Sequence, residues 1–386
     1  VFVVQPVDQL HRSPLGPAPR SALGSVALCC NGVMPDDSTD TEPPRALTPA
    51  TLDPWLTTHV PDAAPPFAHE LIAAGGSNLT YRVTDGEGVV RILRRPPVGR
   101  GLESAHDMAR EYRIISALNR HGMVPVPTPI AVCDDAAITG APFWVMSFVE
   151  GLILRNRADA SALTPEQAER ATTALIDCQV AFHQLDLDAA GLADLGRHDG
   201  YVERQLRRWR RQVDAAGVRV LPLLDELHDR LRASVPPERA APGLAQGDYR
   251  FDNVVLDEAC SVAAVLDWEL CTIGDPIADF AWSLQYWGEP GDAMTWIPDP
   301  PTLVPGFGTR SDVVERYQRA SGVDLSDLSW YTAFSWWKHA CIVEGVYARR
   351  LRGAGGGAAG SNVDAIARRV ERLLEHAHEL ARDSVP

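Results

Sequence analysis

Lysine is almost missing from this chain. Of its 36 basic residues only Lys338 is a lysine, so no site that depends on a lysine ammonium exists before that position. Positive charge as a whole is in deficit. The formal net charge is −15, which argues against a surface built to hold nucleic acid. No apolar run reaches the roughly 18 residues that a membrane-spanning helix needs, so no membrane partner is expected. Cysteine is sparse: the seven residues form no Cys-x-x-Cys pair, and Cys29-Cys30 are simply adjacent. An odd count without metal spacing leads us to expect a reducing, cytoplasmic setting and no structural zinc.

What is present is a large apolar fraction, 45% of 386 residues, enough for a substantial core and two or three domains. Residues 1–46 are rich in Pro, Ser, Asp and Thr without periodicity and are expected to form a disordered tail. Met34 is the expected true start. Val26 to Cys30 is too short an apolar stretch for a secretory signal. A short helix is expected over 50–60. Strands are expected over 69–73, 80–83, 89–94 and 142–148, with an amphipathic helix over 105–119. The remainder reads as helical. Thr164-Pro165 opens a helix running to about 185. Further helices are expected over 199–215, 221–233, 276–287, 311–321, 327–352 and 362–382, with a Gly/Ala linker from Gly353 to Gly360.

One stretch carries chemistry. Gln246-Gly247-Asp248-Tyr249-Arg250-Phe251-Asp252-Asn253 is followed by Val265-Leu266-Asp267-Trp268-Glu269. A carboxylate, an amide five positions later and a second carboxylate after an apolar run form a phosphoryl-transfer pattern. One acid can orient and deprotonate a hydroxyl, while the amide oxygen and the second acid hold a metal against phosphates. Val254 to Leu256 and Val262 to Leu266 flank a polar turn and read as a β-hairpin. Such a hairpin would present Asn253 and Asp267 together. The plain alternative is three ordinary turn acids; the ordered combination outweighs it.

At this point the chain resembles the aminoglycoside phosphotransferase family of kinase-like enzymes. It is most similar to the branch that includes kinase-like domains fused to acyl-CoA dehydrogenases. The resemblance rests on Gly75 to Tyr81, Ile92 to Pro97, Ala105 to Tyr112, Pro125-Val126-Pro127, Ala141 to Met146, Gln246 to Asn253, Leu266 to Glu269 and Gly274 to Asp279. It spans about residues 48–352. It implies an α+β, protein-kinase-like bilobal fold, with a small β-rich N-lobe (47–150) and a larger helical C-lobe (151–386). It also implies transfer of a phosphoryl group from ATP or GTP, with Mg²⁺, to a small-molecule acceptor. Asp248 is then the catalytic base, and Asn253 and Asp267 are the metal ligands. Ser77 and Asn78 cover the phosphates, and Arg94, held by Glu111, contacts them in place of a lysine. Phe148 and Val149 meet the adenine edge. The family usually has His where this chain has Gln246, so altered loop support is expected rather than lost activity.

Strand alternation places Arg94 with Val90 and Ile92 on the face toward the cleft. Arg95 points the other way and is expected to be dispensable. Asp275-Pro276 reads as a helix cap, and Asp279 is expected to hydrogen-bond back to the Asp248 loop. Trp336, Trp337, Lys338, His339, Cys341, Glu344 and Tyr347 crowd one helix. They can line an acceptor pocket, although several read as core and His339 as a buried histidine. Trp209 and its surrounding arginines can bind an anionic acceptor such as a CoA moiety; a solvated helix face is the simpler reading. Three readings stay open: a metabolic hydroxyl kinase acting on a hydroxyacyl-CoA, an aminoglycoside-modifying kinase, and a nucleotide-binding pseudokinase.

Overall fold

The computed structural model describes residues 46–74, 78–98, 103–292, 294–352 and 363–382. The expected tail, the Gly75-Gly76-Ser77 turn and the Gly353–Gly360 linker lie outside these residues.

The first half is built on one antiparallel sheet in the order β1-β2-β3-β5-β4. Its strands are β1 (Ala68–Ala74), β2 (Leu79–Thr84), β3 (Val90–Arg95), β4 (Pro129–Cys133) and β5 (Phe143–Ser147). Alternation divides its side chains between two cores. Leu79, Tyr81, Val83, Leu93, Phe143 and Val145 pack with Leu52 and Leu56 of helix α1 (Pro49–His59). Ile92, Trp144 and Met146 face the opposite way and join Met108, Ile115 and Leu118 of α2 (Glu103–His121). That second face merges with the core of the helical half, so α2 and β3 are held against the larger lobe. β4 was not expected from the sequence, and neither was the single turn α3 (Ala136–Thr139).

Beyond β5 the chain crosses at Gly151. Its backbone is in the positive-φ region, and a Cβ there would meet the Leu256 carbonyl oxygen at 2.3 Å. The glycine lets Leu152 and Leu256 exchange backbone hydrogen bonds of 2.7 and 2.8 Å. After the short α4 (Arg157–Ala160), α5 (Pro165–His183) begins with a complete capping box between Thr164 and Gln167. Then come α6 (Tyr201–Ala216) and α7 (Pro222–Ala233), followed by four short strands: β6 (Gly243–Ala245), β7 (Val254–Leu256), β8 (Val262–Val265) and β9 (Thr272–Gly274). β7 and β8 form the expected hairpin, and β6 pairs with β9.

α8 (Pro276–Ser283) is capped by Asp275, whose carboxylate accepts from the Ile277 and Ala278 N–H groups. The helix expected to reach 287 tightens into a 3₁₀ turn over Leu284–Tyr286. α9 (Arg310–Ser321), α10 (Leu328–Leu351) and α11 (Val363–Arg382) complete the chain. α10 is the axis of this half, packing on α11, α6, α8 and α7. No helix among the described residues is long and apolar enough to cross a membrane.

Candidate active site

The Asp248 loop is fixed by three groups that bond its backbone. Gly247 adopts φ +86°, and a Cβ there would press on Leu270, so the turn favours glycine. The Gln246 side chain is fully buried. Its Oε1 accepts from the Asp248 N–H at 2.7 Å, while its Nε2 donates to the Leu266 and Asp267 carbonyls at 3.2 and 2.6 Å. One neutral amide thus ties the loop of Asp248 to the loop of Asp267. From the other side Asp279 accepts the N–H groups of Gln246 and Gly247 at 3.2 and 2.9 Å. His183 of α5 bridges Asp279 and the Tyr317 hydroxyl.

Asp248 itself is nearly enclosed, with 15% of its side chain exposed. Asn253 donates Nδ2–H to Asp248 Oδ2 at 3.0 Å and to its carbonyl at 2.9 Å. The Tyr286 hydroxyl donates to Asp248 Oδ1 at 2.5 Å. Arg250 sits 3.5 Å from Asp248 and 2.8 Å from Asp252. Burial pushes the Asp248 carboxyl up to about 6, while Arg250 pulls against that rise. It is therefore a better proton acceptor than a solvated aspartate, yet still ionised at neutral pH.

The second loop carries the other acid. The Leu266 N–H bonds the Asn253 carbonyl at 2.8 Å, continuing the Val254–Val265 pairing. The hairpin therefore brings the two expected metal ligands side by side. Asp267 is a non-glycine residue with φ 58°. That strained conformation is held by the Gln246 amide on its carbonyl. Its carboxylate faces Arg94 of β3 at 2.6 Å.

Arg94 is the centre of a buried network. It pairs with Glu111 of α2 at 3.0 Å, with Asp267, and with Glu269 at 3.4 Å. Asn78 donates to Glu269 at 2.7 Å. The expected pairing of Arg94 with Glu111 is present, and two carboxylates of the larger lobe share the same guanidinium. Desolvation raises the Glu111 carboxyl, and Arg94 opposes this. The Trp144 indole N–H also supports Glu111 at 3.2 Å.

Arg95 points away from the cleft, as alternation requires, but it is no surface residue. It is fully buried, lies over the Tyr81 ring at 5.5 Å and donates to the Tyr81 hydroxyl at 3.0 Å. It is part of the small-lobe interior, a place that its direction away from the cleft did not reveal. Phe148 and Val149 lie on the connector leaving β5, half-buried against the main core, with Arg82 over the Phe148 ring. Ser77 falls outside the described residues.

Beside Asp248 opens a cavity of about 350 Å³. Trp209, Trp282, Trp296 and Tyr286 supply aromatic walls; Arg208, Arg110 and Lys338 supply positive charge. Of the crowded residues on α10, Lys338 reaches this space. His339 is core, wedged on Trp296 and bonded to Gln285, and burial holds it well below the usual imidazole range. Glu344 pairs with Arg219 at 2.8 Å.

The sequence reading missed Tyr286, Arg250 and Glu269 as site residues. Glu269 lay two positions past Asp267 in a motif already singled out. Tyr286 stands seven positions past Asp279 in the helix expected over 276–287, a spacing that puts both on one face of such a helix. Arg250 carried no separate signal.

Comparison with known proteins gives the family and the fold. The profile of the phosphotransferase enzyme family matches residues 69–331. The chain belongs to that family. Among curated relatives, acyl-CoA dehydrogenase family member 11 of Gallus gallus is 35% identical over 320 residues, covering 80% of this chain and 40% of the relative. The probable acyl-CoA dehydrogenase IBR3 of Arabidopsis thaliana is 33% identical over 302 residues, covering 72% of this chain and 36% of the relative. The chain thus spans well under half the length of these relatives. Among solved structures, a protein of Ralstonia eutropha named for a presumed aminoglycoside phosphotransferase activity superposes with TM-score 0.75 at 28% identity, covering 88% of this chain and all of that one. The GDP and kanamycin complex of APH(2")-IIIa superposes with TM-score 0.56 at 17% identity, over 85% of this chain and 98% of that one, a likeness of fold. This phosphotransferase-family chain therefore has the protein-kinase-like bilobal fold expected of it.

Proposed function

We propose that this family member transfers the γ-phosphoryl group of ATP or GTP to a hydroxyl of a small molecule. The observation that carries the reading is the mostly buried Asp248 carboxylate, held by Asn253 and Tyr286 on the wall of a cavity of about 350 Å³. The acceptor hydroxyl binds in that cavity and donates its proton toward Asp248. Its oxygen forms the new bond to the γ-phosphorus as the bond to the leaving nucleoside diphosphate breaks, and the proton passes to the Asp248 carboxylate.

The donor set around Asn253 and Asp267 fits Mg²⁺. Both offer hard oxygen donors: Asn253 commits its Nδ2 to Asp248, leaving Oδ1 as the ligating atom. No cluster of three or more His, Cys, Asp and Glu ligands exists among the described residues. A site with two protein ligands suits a cation that takes its remaining ligands from phosphates and water. Bound there with nucleotide, Mg²⁺ supplies neutralisation of the phosphate charge. Arg94, positioned by Glu111, turns its guanidinium to the same phosphates. Asn78 covers them, and backbone groups near Phe148 and Val149 meet the base.

The names of the curated relatives support a metabolic acceptor, a hydroxyacyl-CoA, over an aminoglycoside. The cationic wall of the cavity supports the same choice, because a polycationic acceptor would face Lys338, Arg208 and Arg110. A screen for phosphoryl transfer from ATP and GTP to hydroxyacyl-CoAs, aminoglycosides and sugars tests this. Transfer to aminoglycosides alone would overturn the acceptor assignment. One observation favours a second reading, a pseudokinase: Arg94 occupies the carboxylate that a metal would need. Nucleotide titration with and without Mg²⁺ separates the two, since a pseudokinase of this kind binds equally in both.

A further inference from the structure

We propose that Lys338 and Arg208 form an anion-reading subsite in the acceptor cavity, so that the acceptor carries a carboxylate or phosphate group as well as the reacting hydroxyl. The inference rests on the assignment of Asp248 as the base and names what the same cavity selects.

The side chains set the relation between the two ends of the cavity. The Lys338 ammonium lies 4.0 Å above the centre of the Trp282 ring. The Trp282 indole N–H donates to the Tyr286 hydroxyl at 3.1 Å, and that hydroxyl donates to Asp248. One indole and one phenol therefore separate the cation from the base. Two carboxylates line the cavity, Asp248 and Glu269. Both are committed elsewhere: Asp248 to Asn253 and Tyr286, Glu269 to Asn78 and Arg94. No carboxylate among the described residues pairs with Lys338 or Arg208. Arg110, the third cation, spends a guanidinium N–H on the Cys271 carbonyl at 2.5 Å.

An ammonium set on the Trp282 ring face without a carboxylate partner costs desolvation energy that the ring returns only in part. An anionic group on the bound acceptor supplies the missing charge. Burial, opposed by the charges of Asp279 and Asp248 and reinforced by Arg208, brings Lys338 down to about 8. Arg208, exposed at the edge of the cavity and lying over Trp209, adds a second donor. Arginine fills every other basic position in the chain, so this is its one flexible, compact cation.

The single lysine of this chain makes the test specific, and the N-terminal amine of the protein used serves as an internal reference. The probes are ω-hydroxyhexanoate, its primary amide, ω-hydroxyhexyl phosphate and ω-aminohexanol. In a pulse of acetic anhydride without nucleotide, read by peptide mass spectrometry, both anionic probes should slow acetylation of Lys338. The amide and the amino alcohol should not. The anion that protects at the lower concentration identifies the group as carboxylate or phosphate. In phosphoryl-transfer assays, the kcat/KM ratio of the preferred anionic probe to the amide should fall about 10- to 100-fold in Lys338→Met, the loss expected for one charge-assisted contact. Lys338→Arg should restore most of it.

Equal protection by all probes, or an unaltered ratio in Lys338→Met, overturns the subsite. Protection by anions without transfer to any probe leaves the subsite standing and counts against the kinase assignment. Transfer with no preference for anions does the reverse.

Discussion

At the scale of single residues, the site is organised by groups that change what Asp248 can do. Its enclosure by Tyr286, Asn253 and the loop makes the carboxylate more basic than a surface acid. Asp248→Asn should leave nucleotide binding nearly intact and lower turnover by roughly 10²–10⁴-fold, the usual share of general-base catalysis. Steady-state kinetics with a nucleotide-binding titration check this, and unchanged turnover would remove Asp248 from the mechanism. Gln246 supplies loop support of a different kind from a histidine: its amide accepts from one loop and donates to the other at the same time. Lys338 gives a pH signature. It is faced by Trp282 and Asp279 of α8, by Arg208 of α6 and by the Asp248 loop. Because its charged form lies below about 8, affinity for an anionic acceptor should be present at neutral pH and decline as pH rises through that value. KM for the anionic probe, measured across that range, should climb while KM for the neutral amide does not follow it.

At the scale of elements, β3 separates two arginines that the sequence could assign to faces but not to environments. Arg94→Ala should raise the apparent nucleotide constant and lower turnover, and Glu111→Ala should resemble it. The double mutant should be scarcely worse than either, because the pair acts as a unit. Arg95→Ala should instead lower the melting temperature, by the equivalent of about 2–5 kcal/mol for a large side chain deleted from a packed interior, with nucleotide affinity kept in the folded fraction. Thermal unfolding beside kinetics distinguishes the two effects; a melting temperature held in Arg95→Ala would show that the small lobe does not depend on it. The β7–β8 hairpin and the Asp248–Asn253–Asp267 order were legible because they are local in the chain. The β6–β9 pair was not, since three-residue strands carry no periodicity. Nor were the partners of Arg94 beyond Glu111: Asp267 and Glu269 meet it across more than 170 positions of sequence. Asp279 was anticipated as a brace, but its own support by His183 depends on α5 packing that no local pattern reports.

At the scale of the whole molecule, one sheet divides its side chains between the core beneath α1 and the larger core, and an ion network closes the cleft on the larger core's side. Cys133 belongs to the core beneath α1, while Cys178, Cys260, Cys271 and Cys341 belong to the larger one. Burial raises all five thiols, Cys178 to about 11, so alkylation at neutral pH requires opening of the surrounding structure. In a urea series with site-resolved mass spectrometry, Cys133 should react at lower urea than the other four. Simultaneous reaction would mean that the two cores unfold as one. The Arg94 network also bears on how ligands arrive. The same Asp267 carboxylate serves an arginine in this state and a divalent cation in the proposed one, while phosphates offer Arg94 an alternative partner. Cation and nucleotide are then cooperative by exchange of counter-ions: each removes the competitor of the other, and the coupling is reciprocal. Titration calorimetry should find Mg²⁺ alone bound weakly, and bound more tightly once a non-hydrolysable nucleotide is present. In Arg94→Ala that synergy should shrink because Mg²⁺ alone binds better. An equal enhancement in the variant would mean that Arg94 does not compete for Asp267. On this account the small lobe's arginine sets the order in which charge enters the cleft.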